Sequence, residues 1–373
     1  MKFIVSTTTL LKALQTVSGV IKNGSSVLPI LEDFLFELSK GILTVSATDL
    51  DTSLSTSIRV EAKEDLRIAI PAKILIDTLK TLPEQPLVFK VDEKSLAVEI
   101  TTETGRYKLT GENAEDFPKF PQAESVTEMH IPATALSRAI SKTLFAVSND
   151  ELRPAMSGVL FELTPEGMAF VSTDAHTLVK VVRSEIKTAK PIQFIVPKKA
   201  SALLKSLLPT DDVAVNVSYN KSNAFFAFGS TKLICRLIDA NYPDYNAVIP
   251  QNNPIKVSVS RLELHNAMKR MQLYSNASTY QAVMTVSGSE MKVSAVDLDF
   301  NKEAYERVTC SSDGGDIEIG FNAKLLIDLL SAFDSSDIEI NLSTPTRAAV
   351  FCPVEKEDNE ELLILLMPVM VNA

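Results

Sequence analysis

Ala72-Lys73-Ile74-Leu75-Ile76-Asp77-Thr78-Leu79 returns as Ala323-Lys324-Leu325-Leu326-Ile327-Asp328-Leu329-Leu330, identical at six of eight positions across an offset of 251 residues. Half that offset lands on Pro197-Lys198-Lys199-Ala200, a middle copy of the same opening. A second marker, an apolar run ending in Asp, appears as Val45-Ser46-Ala47-Thr48-Asp49-Leu50, Val171-Ser172-Thr173-Asp174 and Val293-Ser294-Ala295-Val296-Asp297-Leu298, its aspartates 125 and 123 residues apart. Helical segments at Thr7–Lys22, Ala133–Val147 and Ser260–Tyr274 keep this register, and second helices follow at Pro71–Leu82, Pro197–Leu208 and Asn322–Phe333. The chain reads as three copies of one α+β domain of roughly 120 residues, each with two helices and strand runs around them. The expected domains are 1–121, 129–250 and 254–373, with linkers at Pro121–Glu128 and Gln251–Pro254.

Within the first copy, Leu10, Leu11, Leu14 and Val17 recur at the spacing of one helical face. Strand-like runs are expected at Phe34–Leu38, Leu43–Thr48, Ser53–Val60, Leu87–Val91, Ser95–Thr101 and Tyr107–Gly111. Pro71 suits the first turn of the second helix.

Composition sets the outer bounds. With 373 residues, 45% hydrophobic and 23% charged, the chain has the makeup of a soluble globular protein with enough length for three cores. No apolar run approaches the ~20 residues of a membrane helix. Met1-Lys2-Phe3-Ile4-Val5 enters a strand-like run directly, without a signal-peptide pattern. Cys235, Cys310 and Cys352 are isolated, so neither a zinc site nor a disulfide framework is expected, and a reduced cytosol is the natural compartment. No cofactor is implied.

Charge is segregated. The whole chain carries 37 basic and 47 acidic residues, a net of −10, which taken alone argues against a nucleic-acid partner. Yet the six helical segments hold thirteen basic residues against three acids, Asp77, Glu263 and Asp328. On the middle copy's second helix, Ala200, Leu203, Leu204, Leu207 and Leu208 form an apolar stripe, with Lys198 and Lys205 opposite. Helices turned inward around a centre would line it with positive charge and attract a polyanion through its phosphates, without reading bases. The candidate DNA-facing residues are Lys12, Lys22, Lys73, Lys80, Arg138, Lys142, Arg153, Lys198, Lys199, Lys205, Lys269, Arg270 and Lys324.

Met1-Lys2-Phe3, Leu10-Leu11-Lys12, Val17-Ser18-Gly19, Leu28-Pro29-Ile30-Leu31, Thr48-Asp49-Leu50, Asp116-Phe117-Pro118, Thr173-Asp174-Ala175-His176, Tyr242-Pro243-Asp244-Tyr245, Ile319-Gly320-Phe321-Asn322 and Met367-Pro368 occur in this order. Together they resemble the bacterial DNA polymerase III beta subunit family, the sliding clamps, over essentially the whole chain. The resemblance implies a DNA clamp fold: three domains per subunit and a head-to-tail homodimer closing a six-domain ring around duplex DNA. It implies a cytoplasmic, non-catalytic processivity subunit. Its partners would be the polymerase III alpha subunit, the clamp loader delta subunit and other proteins carrying clamp-binding motifs.

The same resemblance implies a peptide pocket of Met156, Thr173, Ala175, His176, Thr177, Leu178, Pro243, Val248, Leu366, Met367, Pro368, Val369 and Met370. An apolar, Met-rich set of this kind accommodates Leu and Phe side chains from several partners. Thr177 and Ala247 stand where many members carry Arg, which alters the pocket's polar rim. The ring seam would pair Arg106, Tyr107 and Lys108 with Leu273, Tyr274, Asp299 and Glu303.

Alternative readings leave fewer residues explained. Asp174 beside His176 suggests catalysis, but no nucleophile accompanies them, and the threefold Asp marker points to a structural turn. His130 and His265 sit in no ligand cluster. A non-topological DNA-coating protein would need stacking aromatics, and the helices offer only Phe145, Tyr274 and Phe333, with no Trp in the chain.

Overall fold

The computed structural model describes residues 1–21, 24, 28–188 and 190–371. Among them six α-helices fall in three equivalent pairs: α1 (Thr7–Ser18), α2 (Ala72–Thr81), α3 (Ala133–Thr143), α4 (Lys198–Leu207), α5 (Arg261–Tyr274) and α6 (Ala323–Leu330). Each is shorter than its sequence pattern. Pro71 is the N-cap of α2 and the last residue of a strand rather than part of the first turn. Asn322 caps α6, its side-chain oxygen accepting from the amides of Lys324 at 3.0 Å and Leu325 at 3.2 Å, an arrangement worth about 1 kcal/mol. Helix α1 stops at Ser18, before Gly19, where a Cβ would stand 2.7 Å from Leu203. A larger residue there would displace the Leu203 side chain.

Two compact units result: residues 1–134 with 202–237, and residues 135–201 with 238–373. The middle repeat is therefore shared, where the sequence suggests three separate bodies. Main-chain pairing is the reason. In the first unit, strand Thr231–Arg236 of the middle repeat pairs antiparallel with Thr52–Arg59 of the first, inside an eight-stranded sheet. In the second unit, Thr177–Arg183 pairs with Glu360–Leu366, from Thr177↔Leu366 to Arg183↔Glu360, inside a twelve-stranded sheet. The middle repeat's two half-sheets thus each continue into a neighbouring repeat.

A further five-stranded sheet in the first unit runs Glu61–Ala62, Lys2–Ser6, Pro86–Val91, Ala97–Thr101, Arg106–Thr110. Its three inner strands bury alternate residues, Leu87, Phe89 and Val91 in one case, as the period of two requires. Phe3 stacks on Phe89 with ring centroids 4.7 Å apart. In the second unit Phe161 meets Phe170 edge-on at 4.8 Å.

Candidate peptide pocket, helix faces and open edges

The turn between Met168–Thr173 and Thr177–Arg183 is built by its own side chains. Asp174 Oδ1 accepts from the amides of His176 at 2.9 Å and Thr177 at 2.6 Å, while Thr173 Oγ1 accepts from Ala175 N at 3.1 Å and donates to the Thr177 carbonyl at 2.7 Å. These bonds hold Ala175 at a φ of 76°. The first repeat makes the same turn: Asp49 Oδ1 accepts from Asp51 and Thr52, and Leu50 has a φ of 79°. The Asp marker is structural in both copies, and an oxygen of Asp174 is committed to backbone amides. The third copy departs. Asp297 pairs in register with Lys302, the positive φ moves to Asn301, and the turn pushes Leu298 and Phe300 into solvent, 88% and 70% exposed.

Around the middle turn lies a cavity of about 210 Å³. It gathers Met156, Thr173, Ala175, His176, Thr177, Leu178, Pro243, Val248 and Met367, together with Asp244, Tyr245 and Leu365. The sequence reading misplaced part of the floor. Leu366 is fully buried and lines nothing, because side chains alternate along a strand and Leu365, opposite Leu178, is the one turned to the cavity. Pro368, Val369 and Met370 also lie outside the lining. Val369 instead forms a bridge with Gly320, and the Met370 carbonyl accepts from Gln281 Nε2 at 3.1 Å.

Tyr245 and Asp244 were missed, although the Tyr-Pro-Asp-Tyr run contains both. Tyr245 donates its hydroxyl to Glu162, packs edge-on against Tyr242 with centroids 6.5 Å apart, and carries Lys180 Nζ 5.2 Å above its ring. Burial, then the hydrogen bond and charge of Glu162, push the Tyr245 phenol well above its ordinary value, so it remains a donor. Thr177 is only 1% exposed, and its Oγ1 has no hydrogen-bond partner.

The basic helix residues divide sharply. Lys12, Lys80, Lys205, Lys269 and Lys324 are exposed, and so is Lys73, which pairs with Asp77 at 3.3 Å. Lys73 and Lys80 help line a cleft of about 260 Å³ beside α1 with Gln15 and Ser18. Lys198 is not a free surface lysine: its Nζ donates to the Val147 carbonyl at 3.1 Å and Asn149 Oδ1 at 2.8 Å. Lys199 is half-buried, Arg153 pairs with Asp150 at 3.4 Å, and Arg270 forms a bidentate pair with Glu306 at 2.6 Å. Lys22 lies outside the described residues.

Lys142 and Arg138 depart furthest from a DNA-facing role. Lys142 is 6% exposed, with Nζ 2.6 Å from Glu360 and 2.9 Å from Asp334. Arg138 reaches Asp334 and Glu357 at 2.8 Å and Glu360 at 3.0 Å, and Arg183 also reaches Glu360 at 3.0 Å. The Arg138 contacts are ionic, since its buried Nε and Nη2 point no N–H at an acceptor. Burial raises the Glu360 carboxyl, but the hydrogen bond and charge of Lys142, with Arg138 and Arg183, outweigh it and hold the group below the usual carboxylate range. Lys142 serves the interior, as a buried charge must when paired.

Of the strand edges left open among the described residues, two carry the residues expected at a ring seam. Arg106–Thr110, carrying Arg106, Tyr107 and Lys108, is the outermost strand of the five-stranded sheet. In the second unit, residues 302–309 pair with Glu290–Asp297 on one side only, while the neighbouring strand Ile255–Ser260 takes just 310–313. Beside that edge Leu273, Tyr274, Leu298, Phe300 and Tyr305 are exposed, and Asp299 accepts from Asn276 Nδ2 at 3.0 Å. The family resemblance names Leu273, Tyr274, Asp299 and Glu303 for the seam but not Leu298, Phe300 or Tyr305, exposed beside the same edge, whose signal was three large apolar residues around a polar turn.

No trio of His, Cys, Asp or Glu among the described residues is placed to hold a metal ion. Burial pushes the Cys235 thiol up to about 12, far from thiolate chemistry.

Three family models match the chain in succession: the N-terminal domain of the DNA polymerase III beta subunit over residues 1–121, its central domain over 130–244 and its C-terminal domain over 246–369. The beta sliding clamp of Haemophilus influenzae is 27% identical over 369 residues, 99% of each chain. The crystal structure of the DNA polymerase III subunit beta from Pseudomonas aeruginosa superposes with a TM-score of 0.94 at 27% identity, covering 100% of both chains. The same values hold for the Pseudomonas aeruginosa clamp bound to griselimycin.

Proposed function

The chain belongs to the DNA polymerase III beta subunit family and is a processivity clamp of DNA replication, and from that premise we propose how it works: as a head-to-tail homodimer closed around duplex DNA, tethering its partners without catalysing a reaction. The single observation that carries the closure is a complementary pair among the open strand edges. An unpaired edge is a template for another strand, and two of those each chain offers are complementary, one basic at Arg106–Lys108 and one beside Asp299 and Glu303 with exposed apolar residues. Joining the first edge of one copy to the second edge of another satisfies both rows of backbone groups and leaves the complementary pair to close likewise. Three domains bounded near 1–121, 129–250 and 254–373 in each of two copies would make six.

Exposed Lys12, Lys73, Lys80, Lys205, Lys269 and Lys324 supply the contact with phosphates, each weak and none specific to a base. The cavity beside the Thr173–Thr177 turn suits a short segment with leucine or phenylalanine anchors, from the polymerase alpha subunit, the clamp loader delta subunit and other clamp-binding proteins. Its lining is mostly apolar, with two methionines to adapt to different occupants. The setting is the cytoplasm, on replicating DNA.

Topology is the test. Loaded by its cognate loader and ATP onto nicked circular DNA, the protein should survive a salt wash that strips electrostatic binders. Cutting the circle once should release it. Equal retention before and after cutting would mean that it holds DNA by contact, as a coating protein does.

A further inference from the structure

The one formal charge in the lining of the cavity beside Met367 is negative. Among its lining residues Asp244 is the only one with a formal charge, and that side chain is exposed, its Oδ1 accepting just a 3.3 Å bond from Ala247 N. Asp174, in the turn beside the cavity but outside its lining, accepts from the His176 and Thr177 amides, and no described cation pairs with either carboxylate. Thr177 adds a buried oxygen without a partner. The nearby cations are engaged elsewhere: Lys180 lies over the Tyr245 ring and donates to Asn246 Oδ1 at 3.2 Å, next to the Glu162–Tyr245 bond, and Arg153 pairs with Asp150.

From this we infer that the pocket selects partner segments that carry a positive charge beside their apolar anchors and disfavours those with an acidic residue there. Asp244 is the residue that sets the choice. The inference rests on the reading of the cavity as a peptide pocket. An apolar anchor fills the floor between Leu178, Leu365 and Met367, and a flanking lysine or arginine then reaches the Asp244 carboxylate at the mouth, where a glutamate would meet like charge. Both groups stay solvated, so the effect is modest and falls with salt.

The test uses the full-length protein and three nonapeptides that share leucine and phenylalanine anchors and differ at the flanking position as lysine, glutamine or glutamate. Their affinities are measured at pH 8 by fluorescence anisotropy. Expected is an order of lysine, glutamine, glutamate, with about three- to tenfold between the extremes at low ionic strength, shrinking toward unity in concentrated salt. Asp244→Asn should narrow that ratio. Should the variant fold poorly, the salt series on the wild-type protein decides. Binding of the glutamine peptide with no dependence on flanking charge, or with glutamate preferred, overturns the inference and leaves the pocket reading standing. Failure of all three peptides to bind overturns the pocket reading itself.

Discussion

The amide of Met367 donates to the carbonyl of His176 across 2.8 Å, and one repeat earlier the amide of Arg236 makes the same bond to Asp51 at the same distance. The strand registers agree: Thr177↔Leu366 corresponds to Thr52↔Cys235, so Leu365 matches Ile234 and Leu178 matches Ser53. The chain contains this junction twice, with an apolar floor in only one. Arg236 in place of Met367 and Ser53 in place of Leu178 remove the apolar surfaces that line the cavity beside the second junction.

Met367→Ala should therefore weaken peptide binding about tenfold, the scale of a single interface anchor. The side chain is partly exposed, so thermal stability should barely move. Isothermal titration beside a melting curve separates the two effects. Unchanged affinity would place the binding site elsewhere.

Leu273→Asp combined with Phe300→Asp should convert the dimer to a monomer of 40.8 kDa in sedimentation. Two desolvated charges at a closing edge cost several kcal/mol. Both side chains are exposed in the single chain, so its fold should survive, as circular dichroism would record.

Replacing Lys12, Lys73 and Lys324 together by Glu should impair loading on DNA, while any single change to Ala alters retention less than about twofold, because such contacts are many and weak. Lys142 behaves differently. Its loss removes the shortest ion pair of Glu360 but leaves Arg138 and Arg183 in place, so Lys142→Ala should cost about 2–3 kcal/mol of stability, measurable by urea unfolding without any DNA.

The carboxyls of Glu360 and Asp334 are held below their ordinary values, burial opposing and Lys142 prevailing. Depressed folded values mean stability that is fully present above the unfolded range near pH 4 and is lost as pH falls through the folded values. Glu360→Gln should unfold more readily at neutral pH, with its deficit shrinking in acid. A deficit independent of pH would contradict the ion-pair account.

Asp33 titrates with the opposite sign. Burial, then the charges of Glu112 and Glu32, push its carboxyl from 3.8 up to about 7, and its Oδ2 has no partner. The folded state is penalised increasingly from pH 4 to 7, as the unfolded chain releases its proton first. Asp33→Asn should match the wild type near pH 4 and exceed it above pH 7, by on the order of 1 kcal/mol. Melting temperatures at the two pH values check this.

Repeats were legible because the Asp turn and the helix openings recur as short local patterns. The pairing partners of Thr52–Arg59 and Thr177–Arg183 were not, since strand pairing between repeats leaves no periodic mark in either strand. Nine of the cavity's lining residues are among those the family resemblance implies, but it gives Leu366 where Leu365 faces the cavity, and a slip of one residue turns a side chain to the other face of a strand. Lys142 was misread because its helical position is that of a surface lysine, while Glu360, the partner that buries it, lies 218 residues away.

The seam between Thr177–Arg183 and Glu360–Leu366 has a mechanical consequence. It begins at the cavity, where Met367 follows Leu366, and ends at the Arg183–Glu360 pair, where Lys142 also grips the carboxylate. Tension along the strands is shared by all seven backbone pairs and must break them together. A pull across them from the cavity end would peel the pairs in turn, like a zipper, and the peeling front would run into that charged knot last. An occupant tugging on the cavity therefore works against a fastening whose strongest stitch is at the far end, out of its reach.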